Sequence, residues 1–219
     1  MPVDHREVAF EDAIEDYLLQ YGGYIKGNPT QFDPETAIDA SHVIGFIKDT
    51  QPKLWEELLR YYKGDLEKAV IAELAKNLDS FGTLDVLRHG FKFHGKLLRL
   101  AYFSPAHSLN PETIALSAKN RLIITRQVHY SSKDKYNTID IVLSLNGLPV
   151  ATLELKNAMS GQNVNHAMSQ YKARDYRETI FSFKRGALVH FAVDTDQVYM
   201  TTRLVGSGTY FLPFNKGDG

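Results

Sequence analysis

The segment NTIDIVLSLNGLPVATLELKN, residues 137–157, decides the fold of this chain. Two runs in it alternate apolar and polar residues, and the turn formers Asn146 and Gly147 separate them. Alternation with a period of two is typical of β-strands, and a short break containing glycine between two such runs predicts a hairpin. We therefore expect antiparallel strands over 137–145 and 149–157.

The parity of this hairpin gathers three charged residues on one face. A three-residue loop would pair Leu145 with Pro149, and that register places Asp140 directly opposite Glu154. Lys156 follows two positions later, on the same face of the second strand. A slip of one residue would turn a whole strand over, so the matching of apolar faces restricts the register strongly.

Facing carboxylates need a partner. At about 4 Å and an effective dielectric near 20, two such charges repel by roughly 4 kcal/mol. Either one carboxylate holds a proton or a cation lies between them, and all-oxygen ligands favour Mg²⁺ with retained waters, or Mn²⁺. Lys156 could then orient or deprotonate a water, or stabilise charge on a phosphate. Together these features predict the hydrolysis of a phosphodiester.

An ordinary charged surface is the alternative interpretation of the same residues. The pattern E-x-K in a strand is in most cases a solvated face, and an Asp opposite a Glu–Lys pair can be a cross-strand cluster that contributes little. The apolar residues around the pair, with helices available to cover both faces of a sheet, favour the catalytic interpretation.

The rest of the chain predicts a mixed α/β fold, with a mixed sheet core flanked by helices behind a helical N-terminal third. Helices come first and are followed by the order β-β-β-α-β-β. Helices are expected over Ala9–Tyr21, over Gln162–Arg177, and in two pieces over 51–78, where Pro52 begins the first piece and Asp65 caps the second. Residues 26–40 are expected to form a loop or a short helical turn. Further strands are expected over 121–130, 187–194 and 197–202.

Composition excludes several classes of function. The formal net charge is −1, so contact with a polyanion requires a local patch, and zero cysteines exclude disulfides, thiolate zinc sites and a cysteine nucleophile. The charged N-terminus and the absence of a run of about 18 apolar residues predict no membrane association and a cytoplasmic location. The best basic patch could contact phosphates or be a solvated face; it comprises Lys172, Arg174, Arg177, Lys184 and Arg185.

The hairpin segment, followed by SGQNVNHAMSQYK (160–172), resembles the PD-(D/E)xK nuclease core at the N-terminus of type I restriction enzyme R subunits. Other segments are similar to the same family, so the resemblance covers nearly the whole chain. They are FEDAIEDYLLQYGGY (10–24), HGFKFHGKLLRLAYFSPAHSLNPET (89–113), NRLIITRQVHYS (120–131) and LVHFAVDTDQVYMTTRLVGSGTYFLPFNKG (188–217).

The resemblance implies roles for five residues. Asp140 and Glu154 would bind the catalytic Mg²⁺, and Lys156 would complete the motif. Glu11, in the first core helix, would be an additional acid; from the residues alone a solvated helix face is the simpler interpretation. Gln170 matches the glutamine of the family's Q-x-x-x-Y element.

The chain departs from the family pattern at two places. Position 174 is Arg where the Q-x-x-x-Y element has Tyr, and tyrosines stand at 171 and 176 instead, so the tyrosine role stays unassigned. Ile139-Asp140 replaces the Pro-Asp of the superfamily, a variation that leaves the aspartate in place.

The resemblance further implies an enzyme, a type I site-specific deoxyribonuclease. We expect a single nuclease domain over 1–219, helical to about 88 and with the nuclease core over about 89–212, whose DNA cleavage follows ATP-driven translocation by motor domains absent from this chain. ATP would be used only by the full-length subunit, since no GxxxxGK[ST] loop is present. The expected partners are double-stranded DNA and the methyltransferase and specificity subunits. The alternatives are a catalytically weak module that docks DNA or the methyltransferase, and a stand-alone repair nuclease of the same superfamily.

Overall fold

The N-terminal third folds mainly into helices, and the remainder folds mainly into strands. The computed structural model describes residues 5–105, 110–134, 136–157 and 161–215. The helices in these ranges are α1 His5–Tyr21, α2 Ala40–Thr50, α3 Pro52–Tyr61, α4 Leu66–Phe81, α5 Thr83–His89, α6 Pro111–Ser117 and α7 Val164–Ala173. The strands are β1 Tyr24–Lys26, β2 Phe32–Asp33, β3 Ile38–Asp39, β4 Phe91–Phe93, β5 Lys96–Leu98, β6 Leu122–His129, β7 Thr138–Leu145, β8 Leu148–Leu155, β9 Val189–Val193, β10 Val198–Thr201 and β11 Leu212–Pro213.

Seven strands form one mixed sheet in the order β1-β6-β7-β8-β9-β10-β11. The pairs β1–β6 and β8–β9 are parallel, and the other neighbours are antiparallel. The predicted mixed α/β fold with a helical N-terminal third is therefore confirmed. No helix in the described ranges is both long and apolar enough to cross a membrane.

Local capping explains where the helices of the N-terminal third begin. Pro52 stands at the first turn of α3, where its missing N–H costs no hydrogen bond. The Asp65 side chain caps α4 by accepting a hydrogen bond from the backbone N–H of Lys68 at 3.0 Å. Both agree with the predicted helix starts. Residues 26–40 are less simple than predicted, because they hold a 3-10 turn over Pro29–Gln31 and the small β2–β3 hairpin.

The turn of the hairpin β7–β8 differs from the predicted one, but the strands pair in the predicted register near the charged residues. Asn146 and Gly147 have φ of 53° and 92° and form a two-residue turn, so Leu145 pairs with Leu148 and not with Pro149. A β-bulge between Leu143 and Ser144 then shifts the register by one residue. Beyond the bulge, Ile141 pairs with Leu153, as the predicted register requires.

Helices cover both faces of the central strands. On one face, Ile14 and Leu18 of α1 pack against a cluster that contains Ile124, Ile141 and Leu155. On the other, α7 contributes fully buried side chains to a second cluster: Val164, Ala167 and Tyr171. Full burial of a side chain as large as valine or leucine stabilises a fold by roughly 1.5–3 kcal/mol. The charged pair therefore lies within a covered sheet and not on a solvated face.

Candidate active site

The hairpin brings Asp140 and Glu154 together on adjacent strands. Asp140 is half-buried, and its Oδ2 accepts a hydrogen bond of 2.7 Å from the backbone N–H of Leu155 in β8. This contact fixes the Asp140 carboxylate against the strand that carries Glu154. The Glu154 side chain has no exposed surface at all, which contradicts the solvated-face interpretation.

Burial dominates the electrostatics of Glu154. Removal from water, together with the neighbouring carboxylate of Asp140, raises the pKa of Glu154 from 4.5 to about 8. The positive charges of Arg174 and Lys156 oppose this rise. Oε2 of Glu154 is buried and has no hydrogen-bond partner among the described residues. Burial of this oxygen therefore carries a desolvation cost that no hydrogen bond from the described residues offsets.

Arg174 has a place in the site that its sequence position, in a candidate basic patch, did not indicate. Its guanidinium forms an ion pair with Oε1 of Glu154 and donates a hydrogen bond of 2.7 Å to the carbonyl of Thr138. The guanidinium carbon lies 4.7 Å from the centre of the Tyr130 ring. The Arg174 side chain is only 6% exposed. Arg174 is thus an internal charge of the site and not a member of a solvated basic patch.

The remaining members of that patch do not form one basic surface. Arg185 pairs with Asp79 at 2.6 Å, and Arg177 pairs with its neighbour Asp175 at 2.9 Å. Acidic side chains therefore offset the charges of Arg177 and Arg185 locally. Of the two interpretations left open for the basic residues, phosphate contact and a solvated face, the solvated face does not hold for Arg174, which is buried.

Glu11 reaches the site from α1, buried to 3% exposure. Its carboxylate accepts hydrogen bonds from Nε of Arg126 at 3.0 Å and from Nε2 of Gln127 at 2.8 Å. Burial raises the pKa of Glu11, and the charge of Asp140 raises it further. Glu11 is therefore close enough to Asp140 to feel its charge. The simpler expectation, a solvated helix face, is wrong for Glu11 because its side chain is buried.

Gln127 links this acid to the hairpin through an unusual backbone. Its φ is 51° within β6, in the left-handed region that non-glycine residues rarely adopt. The conformation lets its amide bridge two elements, since Nε2 donates to Glu11 and Oε1 accepts from the hydroxyl of Thr138 at 2.8 Å. Strain of this kind persists only where the surrounding contacts hold it.

A polar cleft of about 470 Å³ opens beside these residues. Asp140, Gln170 and Arg174 line it, together with Lys133 and Tyr136 from the segment between β6 and β7. Gln170 is half-buried on α7. Lys156 follows β8, and its backbone N–H donates to the carbonyl of Val193 at 2.8 Å. Of the five predicted residues, Asp140 and Gln170 line this cleft, whereas Glu11, Glu154 and Lys156 are not among its described lining residues.

The donor set fits a hard divalent cation in part. No group of three or more Asp, Glu or His side chains with the spacing of a metal site occurs within the described residues. Mg²⁺ commonly binds through one or two carboxylates and keeps several waters. Asp140 and the unpartnered Oε2 of Glu154 supply such a pair, and the Arg174 contact leaves that oxygen unused.

A mixed seven-stranded sheet between helices, behind a helical N-terminal region, defines a mixed α/β protein. The family model described as "Type I restriction enzyme R protein N terminus" matches residues 6–208. The chain belongs to this family. A comparison with curated proteins finds no match.

Proposed function

We propose that this chain is the Mg²⁺-dependent endonuclease domain of a type I restriction R subunit. It hydrolyses DNA phosphodiester bonds after ATP-driven translocation by motor domains of the full-length subunit. The observation that carries this proposal is the buried carboxylate of Glu154 beside Asp140, with one oxygen left without a partner. A bound cation would supply the missing ligand and relieve the repulsion between the two carboxylates.

Each residue has a role in this proposal. Asp140 and Oε2 of Glu154 would hold the Mg²⁺. When bound, the ion supplies Lewis acidity and lowers the pKa of a coordinated water. Lys156 orients the attacking water or stabilises charge on the scissile phosphate. Glu11 adds negative charge beside the pair, and Gln170 presents an amide to the cleft in which the DNA backbone would lie.

Family membership supports a subunit of a restriction complex over a stand-alone repair nuclease. We therefore propose double-stranded DNA as the substrate, and the methyltransferase and specificity subunits as partners. Sequence recognition belongs to the specificity subunit in this arrangement, which agrees with a net charge of −1 and with the pairing of Arg177 and Arg185 to nearby acidic side chains.

One observation favours a second candidate, a docking module that cleaves weakly by itself. Arg174 already pairs with Glu154 and neutralises part of the charge that attracts a cation. Isothermal titration of the isolated chain with Mg²⁺ distinguishes the two. Saturable binding that Asp140→Asn abolishes favours the nuclease; DNA or methyltransferase binding without any Mg²⁺ binding favours the docking module.

The decisive test of the nuclease is Mg²⁺-dependent plasmid cleavage by the reassembled complex with ATP. Asp140→Ala and Lys156→Ala are expected to lower the cleavage rate by about 100-fold or more, the usual effect of removing a group that stabilises transition-state charge. Asp16→Ala and Lys76→Ala are matched controls, because both side chains are exposed. ATP hydrolysis should stay unchanged in all four. Wild-type cleavage by Asp140→Ala would show that the site assignment is wrong.

A further inference from the structure

Gln127 interrupts the regular backbone of β6 without shifting the register of the strand. On its two sides Arg126 pairs with Ile141 and Val128 pairs with Ile139, so no extra residue is inserted in either strand. Gln127 nevertheless has a φ of 51°. A β-bulge, the usual cause of such a conformation within a strand, is therefore not the reason for it.

The side chain of Gln127 connects two elements of the proposed site. Its Nε2 donates a hydrogen bond of 2.8 Å to Oε1 of Glu11, and its Oε1 accepts one of 2.8 Å from the hydroxyl of Thr138. An ionised carboxylate can only accept, so the amide nitrogen faces Glu11 and the amide oxygen faces Thr138. Thr138 lies in β7, two residues before Asp140. Gln127 thus connects the acid of α1 to the strand that carries Asp140.

Arg126, the preceding residue, holds Glu11 in a different way. Its Nε donates to Oε2 of Glu11 at 3.0 Å, and its ion-pair partners Asp12 and Glu15 are in α1 as well. Arg126 therefore connects α1 to β6, whereas the amide of Gln127 continues from α1 to β7. Because the two side chains bind different oxygens of Glu11, together they fix the orientation of its carboxylate.

The backbone of Gln127 gives independent evidence that its side chain has a role in the site. Glycine adopts a positive φ without steric cost, whereas a residue with a Cβ is strained there. Gln127 is exposed, and hydrogen bonds of an exposed side chain add little stability because water competes for the same groups. Backbone strain of this kind is concentrated at functional sites. The two hydrogen bonds therefore point to positioning more than to folding.

We propose that Gln127 is a positioning residue of the nuclease, whose amide holds the Glu11 carboxylate of α1 in a fixed place relative to β7 and Asp140. This inference rests on the proposed function and adds to it a residue that acts through Glu11. Loss of a side chain that orients another residue of a metal site typically lowers activity by about 10- to 100-fold. We expect such a loss in the cleavage rate at saturating DNA, and no change in the DNA concentration that gives the half-maximal rate.

The experiment measures Mg²⁺-dependent plasmid cleavage by the reassembled complex with ATP, for Gln127→Gly and Gln127→Ala. Both variants lack the amide, but only glycine accepts the positive φ without strain. We expect Gln127→Gly to melt about 3 °C above Gln127→Ala, and both to lose cleavage equally. Gln20→Ala is the matched control and should cleave at the wild-type rate, because Gln20 is an exposed glutamine of α1, the helix that carries Glu11.

The hydroxyl of Thr138 offers a second pair of variants. Thr138→Val removes the hydroxyl but keeps the branched shape and the backbone carbonyl that binds Arg174, whereas Thr138→Ser keeps the hydroxyl. We expect Thr138→Val to lower the cleavage rate several-fold and Thr138→Ser to cleave close to the wild-type rate. In a chain that already carries Gln127→Ala, Thr138→Val should cause no further loss, because the hydroxyl acts through the amide.

The outcomes separate this inference from the proposed function. Wild-type cleavage by Gln127→Gly would overturn the inference alone, because only the backbone conformation would then matter. So would cleavage rates that follow the melting temperatures of the two variants, or a Thr138→Val loss that persists in the Gln127→Ala background. A wild-type complex that hydrolyses ATP and shows no Mg²⁺-dependent cleavage would overturn the proposed function, and the inference with it.

Discussion

Glu154→Gln offers a direct test of the buried carboxylate, through the pH dependence of folding in EDTA. In the folded chain, burial and the charge of Asp140 raise the pKa of Glu154 to about 8 from an ordinary 4.5. Between these values the folded state holds a proton that the unfolded state has released. Glu154 therefore contributes stability that is fully present below about pH 4.5 and is lost as the pH rises through about 8.

The size of the effect follows from the two pKa values. Each pKa unit corresponds to about 1.4 kcal/mol, so the difference between 4.5 and about 8 amounts to roughly 5 kcal/mol. Typical domains have only 5–15 kcal/mol of stability in total. The change is therefore a large fraction of the whole and easily measured. Glutamine cannot ionise, so the variant lacks this contribution although its buried arginine partner is retained.

The assay is urea unfolding of wild type and Glu154→Gln at several pH values from 5 to 8.5. The quantity of interest is the wild-type free energy of unfolding minus that of the variant, because the other titratable groups are common to both chains. We expect this difference to fall by several kcal/mol across the range. A difference that stays constant within about 1 kcal/mol would refute the burial argument for Glu154.

Three further predictions test the surroundings of the site. Arg126→Met is expected to lower the free energy of unfolding by about 3 kcal/mol, measured in urea, because the buried carboxylate of Glu11 loses its ion-pair partner while Glu15 keeps Lys26; a loss below about 0.5 kcal/mol would contradict this. Burial lowers the pKa of His190 to about 3, so its ring stays neutral in NMR titrations down to about pH 4, and its contribution to stability, complete above 6.5, is lost as the pH falls through about 3; a midpoint near 6.5 would refute it. Gly147→Ala should lower the melting temperature far more than Gly95→Ala, since both have positive φ but only the first would bring a Cβ within 2.5 Å of the Asp39 carbonyl oxygen; equal losses would exclude the clash.

The hairpin shows which part of a strand pair can be predicted from sequence. The alternation of buried and polar residues extends along both strands and determines which residues share a face. This was enough to predict the register near Asp140. Turn length depends on two residues only, and the positive φ of Asn146 and Gly147 selects a shorter loop than predicted. No residue type marks the bulge at Leu143 and Ser144, so its compensating shift could not be foreseen.

Arg174 and Gln127 were beyond prediction for a different reason. The helical pattern continues through Arg174, and its partner Glu154 lies 20 residues earlier in the chain, so no local periodicity records the contact. Gln127 lies inside a run that correctly predicts a strand, and its positive φ serves a contact with Glu11, 116 residues away. Tertiary contacts override local preference at both places, as is common at functional sites.

Strand β1 has a consequence for any shortened version of this protein. Its three residues pair in parallel with Leu122–Ile124, and the backbone N–H of Gly27 continues the contact with a hydrogen bond of 2.7 Å to the Ile124 carbonyl. A piece beginning at residue 89 would lack this edge strand and would leave backbone groups of β6 unpaired. Exposed edges of this kind pair with other chains. Such a piece would tend to self-associate through this edge, which β1 covers in the longer chain.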